Sequence, residues 1–202
     1  MSEYKVHYPE FDVLDQEEHW DPHTREIVKE RLETDSFYSY RFFNPQEAET
    51  LIQLCSILLD DRRDAVMAYM VYHFDKSLHA GIGESERKAG VPKQSILLRE
   101  GLAQFDQACR ERYGGAFTAL EDEAQNQAVS RFMQGDISSN PGPHGVSMED
   151  FRDKLFAEAV AAYYSHPFIW SEIGYAGPAY PRGYVRSEMG LTDPWEAKRD
   201  GN

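Results

Sequence analysis

Asn44-Pro45-Gln46-Glu47-Ala48-Glu49-Thr50-Leu51-Ile52-Gln53-Leu54-Cys55-Ser56-Ile57-Leu58 carries a complete helix signal. Asn44 is an N-cap, Pro45 stands at the first helical position where its missing N–H costs nothing, and Glu47 completes a capping box, with Phe43 and Ala48 placed as a staple. Leu51, Leu54, Cys55 and Leu58 then recur at helical spacing. Working outward, the same grammar repeats. Asp21-Pro22 opens a short amphipathic helix to about Glu33 with Ile27, Val28 and Leu32 on one side. Residues 64–79 place Val66, Met67, Met70, Val71 and Phe74 on one face. Pro92 precedes the longest helix, with Leu98, Leu102, Phe105 and Cys109 in register and Gly114-Gly115 as its stop. A further helix runs from about Asp122 to Met133 and ends at Gly135-Asp136. Ser138 to Gly145 reads as a loop, and Ser147 with Asp150 starts a helix bearing Phe151, Leu155, Phe156, Ala159, Val160 and Tyr163. No segment alternates with period two, so the expected fold is all-α.

The chain has 202 residues, 41% hydrophobic and 28% charged, with 13% aromatic, enough apolar side chain to bury a core in one domain. The expected organisation is an extended N-terminal arm and short helix over 1–39, a helical domain over 40–185 and a tail over 186–202. In the arm, Tyr4, Tyr8, Phe11 and Trp20 are scattered through acids without a period. The net charge of −14, with no Lys/Arg cluster, argues against nucleic acid and anionic membrane as partners. The longest apolar run, Ala65 to Val71, is far too short for direct membrane insertion.

Chemistry-bearing motifs are sparse. Cys55 and Cys109 each stand alone in an apolar helical context; the favoured reading is two buried small hydrophobes, with a disulfide left open. Gly81-Ile82-Gly83-Glu84-Ser85-Glu86 starts like a dinucleotide fingerprint, but Glu86 replaces the third glycine and no strand precedes it. His19 and His23 are four apart, yet Asp21-Pro22 places a helix start between them; His73 and His79 do not stack. His166 reads as a histidine at a helix C-terminus, favoured by the dipole, and a hydrolase using it with carboxylates lacks a partner group. The acidic runs at Asp60-Asp61, Glu84 to Glu86 and Glu121 to Glu123 read as solvated faces. No catalytic, cofactor-binding or metal-binding residue is assigned.

Between Tyr163 and Tyr184 the pattern changes: seven aromatics, three prolines and three glycines fall in twenty-two residues. Proline removes donors and glycine invites turns, so this strap is expected to be irregular. It is too aromatic to be solvated, and two placements stay open: wrapping the helical core, or packing on another chain. The residues assigned to a partner interface are Tyr163, Tyr164, His166, Phe168, Trp170, Tyr175, Tyr180, Arg182 and Tyr184.

Over roughly residues 40–185 the chain resembles the gluconate 2-dehydrogenase subunit 3 family. The resemblance rests on Phe43 to Ala48, on Gly101-Leu102-Ala103-Gln104-Phe105-Asp106-Gln107-Ala108 with Tyr113-Gly114-Gly115-Ala116-Phe117 and Leu120 to Gln125, and most specifically on Ile173-Gly174-Tyr175-Ala176-Gly177-Pro178 with Tyr180-Pro181-Arg182-Gly183-Tyr184 behind it. It implies a non-catalytic small subunit without a cofactor of its own. Its partner would be a large FAD-dependent dehydrogenase of the glucose-methanol-choline class, oxidising a sugar, polyol or sugar acid, with a cytochrome subunit joining some complexes. The alternative is a free-standing helical adaptor or assembly chaperone for an oxidoreductase. Met1 to Glu18 shows no export signal, so the expected location is the cytoplasm, or wherever a signal-bearing partner carries the chain.

Overall fold

The capping box at Asn44 forms as read. The Asn44 side chain accepts the Glu47 N–H at 2.9 Å and the Glu47 carboxylate accepts the Asn44 N–H at 2.9 Å. A computed structural model of the chain describes residues 8–33, 39–84, 88–137, 144–186 and 189–198. Seven α-helices stand among them: α1 Pro22–Leu32, α2 Pro45–Leu58, α3 Asp64–Ala80, α4 Gln94–Tyr113, α5 Asp122–Gln134, α6 Met148–Tyr163 and α7 Pro167–Ile173. Val13–His19 and Phe117–Ala119 form 3₁₀ segments. No strand occurs among the described residues, and the fold is all-α. The stop signals at Gly114 and Gly135 act as expected, ending α4 and α5 in the left-handed conformation that glycine adopts without strain, and Gly81 ends α3 in the same way. Ser147 caps α6 through its Oγ, which accepts the Asp150 N–H at 3.0 Å. Glu86 and most of the Ser138–Gly145 loop lie outside the described residues.

The chain divides into two compact units, one drawn from residues 1–34 and 163–202, the other from 35–162. The second unit buries the apolar faces of α2 to α6. Its centre is a series of rings, Phe105 against Phe117 at 5.0 Å, Phe105 against Phe132 at 5.1 Å and Phe132 against Phe151 at 5.4 Å, each tilted or edge-on. Gly101 on α4 lets the Phe151 ring approach the helix backbone where any Cβ would collide with it. Asp75 on α3 is fully buried, and its carboxylate accepts the N–H groups of Arg41, Phe42 and Phe43 at 2.9, 2.9 and 3.0 Å. Three charge-assisted bonds thus hold the segment that aims α2. Arg99 closes the same corner, bonding Glu47 at 3.1 Å and lying over the Phe42 ring.

The first unit joins the two ends of the described chain. Val13, Trp20, Val28 and Trp170 form its buried centre, with Phe11, Leu14 and Tyr175 packed against them. Two sequence expectations are corrected here. The arm is not extended over its whole length, because Asp12 caps a 3₁₀ segment whose Val13 is fully buried. The strap is not irregular throughout, because α7 interrupts it: Pro167 sits at the first helical position and Gly174 ends the helix with φ +74°, so two supposed breakers are its start and stop.

Candidate partner interface

Strap residues 163–184 divide by exposure into a buried anchor and an exposed surface. Tyr163, His166 and Trp170 are buried, Tyr175 and Arg182 partly buried, and Tyr164, Phe168, Tyr180 and Tyr184 exposed. The anchor starts at His166. Its Nδ1 accepts the Phe168 N–H at 3.1 Å, so it caps the N-terminus of α7 rather than using the dipole at the end of α6, which corrects the sequence reading. A ring nitrogen that accepts must be unprotonated, so the cap requires the neutral tautomer with the proton on Nε2. Trp170 follows one turn on, its Nε1–H donating to the Tyr164 carbonyl at 2.5 Å. Arg31 of α1 donates to the Ser165 carbonyl at 2.8 Å and holds its guanidinium 5.3 Å from the Trp170 ring centroid. Tyr175 meets Trp170 edge-on at 5.5 Å.

The arm grips α7 from its other side. The Val13 N–H donates to Ser171 Oγ at 3.0 Å, and Ser171 Oγ donates to Asp12 at 3.4 Å. The Gly174–Pro178 turn then packs where side chains would not fit. A Cβ at Gly174 would stand 2.6 Å from both Tyr8 and Ala197, and one at Gly177 would stand 2.5 Å from the Trp20 ring. Arg182 folds back, donating to the Ala176 and Gly177 carbonyls, with Trp195 stacked 4.9 Å from its guanidinium. Burial lowers the Arg182 pKa, and its Nε and Nη1 are buried without a hydrogen-bond partner. Burial, together with Tyr184, raises the Tyr175 phenol. Asp193 secures the following loop by accepting the Val185 and Arg186 N–H groups at 3.1 and 2.8 Å.

Around this scaffold the surface is apolar. Of the eleven exposed large apolar side chains among the described residues, eight fall between Tyr164 and Leu191. Four of them, Ile173, Val185, Met189 and Leu191, were missed by sequence reasoning, which weighted aromatic rings and assigned 186–202 to a tail. Trp20 and Trp195, which hold the scaffold from beneath, were also not selected. Residues 45–177 match the family model described as gluconate 2-dehydrogenase subunit 3. The chain belongs to that family. The resemblance read over roughly residues 40–185 is thereby borne out as to the family, the match itself running from Pro45 to Gly177. Comparisons with curated proteins and with solved structures find no match. In this subunit 3 family member the matched stretch ends inside the turn, so Tyr164, Phe168 and Ile173 lie within it and Tyr180 to Leu191 beyond it.

Several other polar side chains make contacts within the chain. A groove of about 310 Å³ in the second unit is lined by Gln94, Asp150 and Lys154 among others. Three of its lining residues are engaged within the chain: the Gln94 N–H donates to Glu84 at 2.8 Å, Ser147 Oγ donates to Asp150 at 2.6 Å, and Lys154 pairs with Glu158 at 2.6 Å. Asp61, buried, pairs with Arg63 at 2.6 Å. Both cysteines are free and buried, which settles the open disulfide, and burial pushes each thiol up to about 12. His19 ends the 3₁₀ segment and His23 lies in α1, on different elements. Among the described residues, no group of three or more His, Cys, Asp or Glu side chains is placed to hold a metal ion, and no helix is long and apolar enough to cross a membrane.

Proposed function

We propose that this subunit 3 protein is the non-catalytic small subunit of a dehydrogenase complex, stabilising a large FAD-dependent subunit that oxidises a sugar, polyol or sugar acid. The observation that carries the reading is the division of the strap: Trp170, His166 and Tyr163 are committed to the chain's own interior, while Phe168, Tyr164, Tyr180 and Tyr184 are held out of it on a pinned scaffold. A protein that orders large apolar side chains on its surface gains nothing from them alone, and they gain energy when a second surface covers them. Membership of a family described as a gluconate 2-dehydrogenase subunit supports reading that second surface as another subunit of the complex, and we take it to be the large one. Burial on the flavoprotein favours its folded, cofactor-bound state by mass action, because the chain binds that state and not the unfolded one. A cytochrome subunit is a further expected neighbour. The expected place of work is the cytoplasm, or the compartment to which a signal-bearing partner carries the complex.

The test is affinity purification of the full-length chain from its host at mild salt, followed by an absorbance spectrum of the eluate. A flavin spectrum with one larger protein at fixed ratio, surviving prolonged dialysis, is the expected result. A larger protein present below stoichiometry and lost on dialysis would favour an adaptor or assembly chaperone instead.

A further inference from the structure

The sequence from Tyr163 to Thr192 holds four charged residues, Glu172, Arg182, Arg186 and Glu188, in thirty positions, against 28% for the whole chain. Charge depletion with aromatic and methionine enrichment marks the centre of protein interfaces rather than ordinary surface. Along one edge of this neutral surface runs the opposite composition. Residues 8–20 contain Glu10, Asp12, Asp15, Glu17 and Glu18 and no Lys or Arg. The two are physically joined, because Ser171 takes the Val13 N–H at 3.0 Å and bonds Asp12 at 3.4 Å. Ser171 is three residues beyond Phe168 on α7, so the exposed ring and the acidic 3₁₀ segment share a helix face. The half-buried Tyr175, edge-on to the buried Trp170 at 5.5 Å, carries this surface on toward the exposed Tyr180 and Tyr184.

We infer that this surface docks a protein face that is apolar at its centre and basic along the edge meeting Glu10, Asp15 and Glu18. The inference rests on the small-subunit reading and adds the chemistry of the partner's contact face. Charge complementarity selects this occupant over two others. A second copy would bring another acidic arm to a chain of net charge −14, and like charges across an interface are repulsive. An anionic bilayer would meet the carboxylates of the arm beside the inserted rings. The neutral centre supplies contact area and slows dissociation, and the acidic edge speeds and orients encounter.

The experiment measures association and dissociation rates of the full-length chain with the FAD-loaded large subunit from the same host across a range of salt. In wild type the association rate should fall as salt rises. Glu10→Lys/Asp15→Lys/Glu18→Lys should slow association by about tenfold or more and flatten its salt dependence, with dissociation little changed. Phe168→Ala should do the converse. The charge-neutral set Glu10→Gln/Asp15→Asn/Glu18→Gln, giving an intermediate effect, keeps the test decisive if the reversal variant misfolds. An unchanged association rate in either set would overturn the acidic edge while leaving the subunit reading intact. Wild-type binding to phosphatidylglycerol vesicles, or concentration-dependent dimerisation through Phe168, would also overturn it. No binding to the large subunit at any salt would remove both.

Discussion

Trp20 and Gly177, far apart in sequence, meet so closely that a single added carbon at Gly177 would stand 2.5 Å from the indole. Gly177 also holds φ +78°, where side chains are strained. Gly177→Ala should therefore destabilise the protein by about 2–3 kcal/mol, from the left-handed backbone and overpacking together. Gly183→Ala has similar φ but open space, so it should cost only about 1 kcal/mol. Denaturant unfolding of the two variants checks the difference.

Gly101→Ala tests the ring series of the second unit. In an exposed helix this change gains about 1 kcal/mol, but here the new methyl enters the Phe151 ring. The net effect should be destabilising by about 1–3 kcal/mol. Gly101→Ala/Phe151→Leu should recover part of that loss in a double-mutant cycle.

Asp75→Ala should leave the N–H groups of Arg41, Phe42 and Phe43 without their acceptor. A loss of about 2–3 kcal/mol is expected, since an orphaned buried donor costs about 1–3 kcal/mol and the Phe43 N–H is buried while those of Arg41 and Phe42 are only partly so. Hydrogen exchange at those three amides should accelerate before the rest of the second unit opens.

These positions show how unevenly the fold was legible. Caps and stops at Asn44, Ser147, Gly114 and Gly135 announce helix ends because their chemistry is local and side-chain specific. The helix α7 was not legible, because its seven residues are too short to display a period and its delimiters, Pro167 and Gly174, double as general breakers. The 3₁₀ segment Val13–His19 hid for the same reason, its one fully buried residue being Val13. At the interface, residue type located the strap but not the direction each ring faces. Trp170 and Phe168 look equivalent in sequence, and only packing on Trp20 and Val13 turns one inward.

That difference makes a prediction of its own. Trp170→Ala should cost about 3–5 kcal/mol of stability by leaving a cavity and an uncapped Tyr164 carbonyl, and should weaken binding through the fold. Phe168→Ala should change stability by no more than about 0.5 kcal/mol, yet weaken the complex by about 2 kcal/mol as an exposed anchor. Thermal melting of the free chain beside calorimetric titration of the complex separates the two.

Cys55 and Cys109 should resist alkylation in the native protein and react on unfolding, because burial raises both thiols to about 12. The sign of the linkage follows. Their unfolded value is near 9.0, so the native state holds both protons where the unfolded state releases them. Stability from these groups is full below pH 9 and falls as pH rises toward 12. Cys55→Ala/Cys109→Ala should show a shallower loss across that range.

The most direct measurement is the thermal midpoint of flavin release from the large subunit, titrated with this chain. The midpoint should rise with chain concentration and keep rising past saturation, as stabilisation by binding requires, and Phe168→Ala should shift the curve to higher concentration. A midpoint that does not depend on the chain, under conditions where the two proteins are shown to associate, would contradict the stabilising role.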